Sequence, residues 1–169
     1  MLVVLGLVNG SIFNKETHLQ TGKVVYLKLA PVDPRSLMQG DYMALRYQIA
    51  NQVFKALPKA KDDMLWIQTV EASDGYVVVE LDAKNIATYH SLYAEHQLGD
   101  DQLLLRYRVR NGTVKFATNG FFFQEGHAKY YESASYGQFR VDNSGELLLV
   151  AMYDKTLHKL QPMPDQSSE

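Results

Sequence analysis

The chain has 169 residues, 46% of them hydrophobic and 21% charged, with a formal net charge of −2. That length builds one ordinary domain with its own core, and the composition excludes a disordered chain. The charge excludes the basic surface of a general nucleic-acid binder, and the lack of cysteine excludes disulfides, thiolate metal sites and a cysteine nucleophile.

The chain opens on MLVVLGLVNGSIF, an apolar run from Met1 to Phe13 interrupted by Asn9, Gly10 and Ser11. As a helix this run spans about 20 Å, short of the roughly 30 Å of bilayer hydrocarbon. It lacks the positive start and the clean cleavage site of a signal peptide. Two readings stand: the remnant of a membrane anchor, with a lipid-facing N-terminus, or an element of the core. Its position ahead of polar Asn14, Lys15 and Glu16 favours the anchor. NKETHLQTGK then continues as a helix to Gly22, a C-cap.

VVYLKLA (Val24–Ala30) reads as a strand, with Val25, Leu27 and Leu29 on one side. Pro31 and Pro34 end it. YMALRYQI (Tyr42–Ile49) reads as a second strand that faces Met43, Leu45, Tyr47 and Ile49 inward and Tyr42, Ala44, Arg46 and Gln48 outward. KALPKAKDD (Lys55–Asp63) reads as a charged loop. Three hairpins follow, turning at Asp74-Gly75, at Asn111-Gly112 and near Ser144-Gly145. For the middle one the pattern sets a register: Arg110 opposite Thr113, Val109 opposite Val114, Arg108 opposite Lys115 and Tyr107 opposite Phe116. Between the hairpins, Asp82–His96 reads as a short helix or irregular excursion, and Gly126–Ala134 as a second helix or a turn. The expected fold is mainly β: an antiparallel sandwich or partly open barrel of about seven to eight strands with short helices and the N-terminal apolar segment. Residues 1–14 are the apolar segment, 15–160 one domain, and 161–169 a polar tail.

Candidate chemistry gathers between the first two strands. In DPRSLMQGDY, Asp33 and Ser36 suit turn hydrogen bonds, Gly40 suits a tight approach, and Asp41 suits backbone N–H groups or Arg35. The plain reading is a polar corner that pins strand register. The sharper one is an acidic site built from Asp33 and Asp41. In FFFQEGH, Glu125 and His127 share a face if extended, but one pair is too few for a metal site, so no metal is expected. A salt bridge from Glu125 to Arg35 or Arg46 is the structural alternative. Arg106, Arg108 and Arg110 form a basic stripe on one strand face, expected to be answered by carboxylates. No phosphate loop, dinucleotide fingerprint or nucleophile elbow is present, and no cofactor is expected.

GDYMALRY, with Gly40, Asp41, Tyr42, Leu45 and Tyr47, resembles the motif of the GDYXXLXY family, and PVDPRSLMQ, FFFQEG and YGQFRVD resemble the rest of its pattern. The resemblance runs from about Lys15 to Tyr153. It implies a bacterial protein with an N-terminal membrane anchor and a domain on the periplasmic or extracytoplasmic side. It also implies a multi-spanning membrane protein as partner. It carries over no catalytic residues. The expected function is therefore a non-enzymatic accessory domain, with a binding surface around Asp33, Arg35, Gly40, Asp41, Tyr42, Leu45, Arg46, Tyr47 and Glu125. The alternative is an envelope hydrolase that uses Asp33, Asp41 or Glu125. Any small-molecule ligand is left open.

Overall fold

A computed structural model describes residues 15–16, 18–31, 38–39, 42–61, 68–95 and 97–162. The apolar start, the Asp33–Asp41 corner apart from two strand residues, and the end of the tail lie outside them. Among the described residues no helix is long and apolar enough to cross a membrane.

The helical residues up to Thr21 end as expected at Gly22, whose N–H donates to the His18 carbonyl at 2.9 Å. Strand β1 (Lys23–Lys28) follows. Its apolar parity holds: Val25 and Leu27 are fully buried and Leu29 nearly so. β1 pairs antiparallel with β11 (Tyr136–Val141), and β11 with β12 (Leu147–Tyr153). One extra residue, Val150, bulges β12 between the partners of Gln138 and Phe139, and it stands 40% exposed.

The second sheet runs in the order β7 (Ala87–Leu92), β6 (Ser73–Leu81), β8 (Gln102–Arg110), β9 (Thr113–Lys115). The hairpin from β8 to β9 has the expected register, Arg110 opposite Thr113, Val109 opposite Val114 and Arg108 opposite Lys115. Its loop residues Asn111 and Gly112 both take positive φ, 53° and 66°, as a two-residue hairpin turn requires. The expected turn at Asp74-Gly75 is not there. Both residues lie within β6, and Gly75 pairs with Tyr107 across the ladder. A Cβ on Gly75 would stand 2.6 Å from the Tyr107 hydroxyl, so this glycine makes room for a ring rather than a reversal.

The expected helix or excursion over Asp82–His96 is instead a turn and strand β7. The turn belongs to a set of three. Asp82, Asp142 and Asp154 each accept through Oδ1 from the N–H two residues on and the N–H four residues on. In each, the fourth residue takes positive φ: Asn85 at 60°, Gly145 at 77° and Leu157 at 62°. DAKNI, DNSGE and DKTLH are thus one device, an Asp-capped reversal.

The third sheet orders β10 (Gly120–Phe122), β3 (Tyr42–Ala44) and β2 (Met38–Gln39). The strand expected over Tyr42–Ile49 ends at Ala44, and helix α1 (Gln48–Ala56) begins. The helix forms because Ile49 and Val53 are one turn apart and both bury, and Leu57 closes it ahead of Pro58. The inward parity over Met43, Leu45, Tyr47 and Ile49 holds even so, with all four at most 4% exposed. The expected loop after α1 carries β4 (Ala60–Lys61), paired with β5 (Gln68–Thr69).

The domain is mainly β and antiparallel, with short helices. Nine strands of three or more residues form three sheets among the described residues, slightly more than expected because β7 and β10 lie where no strand is expected. One apolar cluster joins β1, β3, α1, β6, β8, β9, β11 and β12. Ala128–Tyr130 is a single 3₁₀ turn, as the sequence suggested for that stretch.

Candidate functional site

The motif strand β3 lies beside β10, so that GDYMALRY and FFFQEG meet: Tyr42 opposite Phe122, Met43 opposite Phe121, Ala44 opposite Gly120. Past the strand, the Leu45 N–H donates to the Asn119 carbonyl at 2.7 Å, and the Asn119 amide donates back to the Leu45 carbonyl at 3.2 Å. The Tyr47 hydroxyl donates to the Thr118 carbonyl at 3.1 Å. On the other side the Ala30 N–H donates to the Arg46 carbonyl, and Leu29 bridges to Tyr47. The Tyr47 ring meets Phe139, of YGQFRVD, edge-on at 5.5 Å and Phe116 at 6.4 Å. Three stretches far apart in sequence therefore close on one tyrosine. Burial keeps its phenol protonated well above the ordinary tyrosine range. Leu45 and Tyr47, each 1% exposed, are core and joint, not surface.

The outward residues differ. Tyr42 is half-buried, and its ring lies 5.8 Å from that of Phe122. Phe122 is 74% exposed, the most exposed large apolar side chain among the described residues. Gly120 leaves the floor beside these two rings low; a Cβ there would only touch them. Arg46 is exposed, and its guanidinium has no ion-pair or hydrogen-bond partner among the described residues.

Arg46 and Ala44 open onto a groove of about 450 Å³. One wall is the stripe Tyr47, Ala50, Asn51 and Phe54 of α1, spaced as one helix face. The other is the turn and start of β9, Gly112 to Val114. Tyr47 begins the helix in extended conformation and gives no side-chain cap, and the first turn holds no acidic residue. Among the described residues, the amides of Asn51 and Asn119 and the Thr113 hydroxyl supply the remaining polar groups of the groove, and no carboxylate lines it.

Of the other expected site residues, Asp33, Arg35, Gly40 and Asp41 lie outside the described residues. Glu125 is exposed on the turn after β10 and makes no ion pair with Arg46. Two arginines of the stripe, Arg106 and Arg110, are answered by carboxylates, as expected, and Arg108 by a backbone carbonyl. Arg106 pairs with Glu146 and with Asp74 at 3.5 Å, Arg110 reaches Asp74 at 2.7 Å, and Arg108 donates to the Ala117 carbonyl. The Glu146 carboxylate raises the Arg106 pKa further.

A hydroxyl, an imidazole and a carboxylate meet at Thr156, His158 and Asp154, with Thr156 Oγ1 2.7 Å from both His158 Nδ1 and Asp154 Oδ1. The same Asp oxygen takes the N–H groups of Thr156 and His158, as its counterparts do at the other two reversals, so the carboxylate holds a turn rather than orienting a base. Among the described residues no three His, Asp or Glu side chains gather as a metal site. The groove is not in the sequence reading because the expected strand takes in only Gln48 and Ile49 of α1 and the expected loop Lys55 and Ala56, with no helix expected between them. The spacing Ile49, Val53, Leu57 before Pro58 was the available signal.

No curated protein and no solved structure matches the chain. A family model described as GDYXXLXY protein matches residues 4–152. That span contains the motif strand, its partner strand and the Phe139 that closes on Tyr47, and the chain belongs to the GDYXXLXY family.

Proposed function

We propose that this protein is a non-catalytic accessory domain, held at a membrane on its extracytoplasmic side, that binds a membrane-protein partner. The observation that carries the binding reading is Phe122. A phenylalanine 74% exposed beside Tyr42, on the strand that pairs with the motif, costs solubility and adds nothing to the core. Aromatic side chains and an exposed arginine such as Arg46 are the types that dominate interface energetics. The buried motif residues, Leu45 and Tyr47, then act as the frame that presents this surface. The apolar run Met1–Phe13 and the family membership support attachment to a membrane. The hydrolase reading gains no support from Glu125, which stands exposed on a turn.

The test is co-purification from gently solubilised membranes with a C-terminal tag, wild type against Phe122→Ser. A side chain this exposed leaves stability within about 0.5 kcal/mol when replaced. The expected result is a membrane protein recovered in stoichiometric amount with the wild type and lost with the folded variant. Equal recovery with both removes the Phe122 surface from the reading. Recovery of the tagged chain alone, in the soluble fraction, overturns the accessory reading.

A further inference from the structure

The groove between α1 and β9 has features that a mere surface dent lacks. β9 is the last strand of its sheet, and no strand lies beside its outer edge among the described residues. In a two-residue hairpin the pair flanking the loop exchanges both ladder bonds, here Arg110 and Thr113. The N–H and C=O of Val114 therefore point away from β8, toward the edge. The α1 stripe from Tyr47 to Phe54 runs about 10 Å, the length of about three extended residues. Its floor is apolar, from Leu45, Tyr47 and Val114. Among the described residues its charge is of one sign. At one end Arg46 has no ion-pair or hydrogen-bond partner among them, at the other Lys59 lies 6.0 Å from the Phe54 ring, and no described carboxylate lies between. On a chain of net charge −2 this is a local positive surface.

We propose that this groove docks an extended acidic segment of a partner polypeptide. The segment adds beside β9 as a short strand, sets an aliphatic side chain on the floor, and places a carboxylate on Arg46. Main-chain bonds to Val114 supply affinity, and the pockets on either side supply choice of side chain. The carboxylate on an exposed guanidinium supplies discrimination and steering more than affinity. The proposal rests on the reading of the domain as a binding module and names the chemistry its partner presents.

The experiment titrates the ¹⁵N-labelled full chain with an acetylated, amidated pentapeptide, Ser-Val-Glu-Val-Ser, and with its twin carrying glutamine in place of glutamate. The expected result is saturable shifts at Arg46, Asn51, Thr113 and Val114, with slowed hydrogen exchange at the Val114 N–H. The glutamine twin binds roughly fivefold more weakly, the scale of one exposed ion pair. Arg46→Gln removes the difference between the two peptides. Asn51→Glu weakens the acidic peptide while keeping the helix, since the new carboxylate stands four residues before Lys55. Flat titrations, equal binding of the twins, or shifts confined to β10 overturn the proposal. Shifts produced equally by propionate, without slowed exchange at Val114, make this a site for small carboxylates and overturn the peptide. Co-purification separates the two readings. A partner retained by Asn51→Glu but lost with Phe122→Ser sinks the groove and leaves the binding module standing.

Discussion

The buried tyrosine of the motif is open to a two-sided test. Tyr47→Phe removes one hydroxyl and leaves the Thr118 carbonyl without its donor. Thr118 is half-exposed, so water partly replaces the bond, and the cost at pH 7 is about 1 kcal/mol. The second side is alkaline. Burial raises the native pKa of Tyr47 above its ordinary value of 10.0. At pH 11 the native phenol still holds its proton, while the unfolded chain has largely released it. The unfolded state then binds fewer protons, so stability falls as pH rises past about 10, by about 1.4 kcal/mol at pH 11. The phenylalanine variant has no such loss, and the remaining tyrosines titrate alike in both proteins. The variant is therefore less stable by about 1 kcal/mol at pH 7 and equal or slightly ahead at pH 11. Urea unfolding at pH 7, 9, 10 and 11, with unchanged m-values, measures the gap. A gap constant across that range refutes the buried, protonated phenol. Tyr47→Ala adds a cavity between Phe116 and Phe139 and costs about 4 kcal/mol; a wild-type midpoint for that variant refutes the joint itself.

Other consequences follow from the turns and the ladder. Gly75→Ala pushes a Cβ into the Tyr107 ring, itself only 6% exposed, and is expected to cost about 1–2 kcal/mol in thermal or urea unfolding. Leu157→Gly relieves a bulky residue at φ 62° and is expected to raise the unfolding free energy by about 0.5–1 kcal/mol, whereas Gly145→Ala, at φ 77° with a Cβ 3.0 Å from the Leu104 carbonyl, lowers it by about 1–2 kcal/mol. Burial works to raise the Asp142 carboxyl, but the Ser144 hydroxyl, the N–H groups of Glu146 and Ser144, and His18 outweigh it and hold the pKa below the ordinary 3.8. A depressed carboxylate contributes stability above its unfolded pKa and loses it as pH falls through the native one, so acid unfolding below about pH 4 is expected to be shallower in Asp142→Asn than in wild type.

The elements legible in the sequence are those where two local signals agree. At Asn111-Gly112 the turn residues and the period-two pattern demand the same register, and that register forms. At Asp74-Gly75 the same kind of dipeptide misleads, because the glycine answers a tyrosine 32 residues away and nothing local records that. The reversal at Asp82–Ile86 hides because Asn85 takes the left-handed position that glycine holds at Gly145, and Leu157 hides a third. Over Met43–Ile49 the alternation is real, yet it is shared between a strand and the start of a helix. Burial follows the parity while the backbone does not. Tyr42 and Arg46 were legible as the surface of the motif. The groove was not, since its walls depend on α1 and on which strand ends a sheet, and sheet order is a long-range fact.

The motif itself divides along this line. Among its fixed letters, Leu45 and Tyr47 are core, and they tie β3 to residues 118–120 and to Phe139. Its open letters are Met43, Ala44 and Arg46. Met43 is buried at 2%, where any apolar residue of similar volume serves. Ala44 and Arg46 line the groove. A frame of fixed residues with open positions at the mouth of a cleft is how one fold presents different surfaces to different partners. If the groove recognises a partner, relatives that keep the fixed letters but carry an acidic residue at the position of Arg46 fold alike and refuse the acidic peptide. The same exchange made here, Arg46→Glu, keeps the unfolding midpoint, because the side chain is exposed and has no partner among the described residues, and reverses the preference between the two peptides. A loss of stability in that variant would mean that Arg46 serves the frame, and the division drawn here between fixed and open letters would fail.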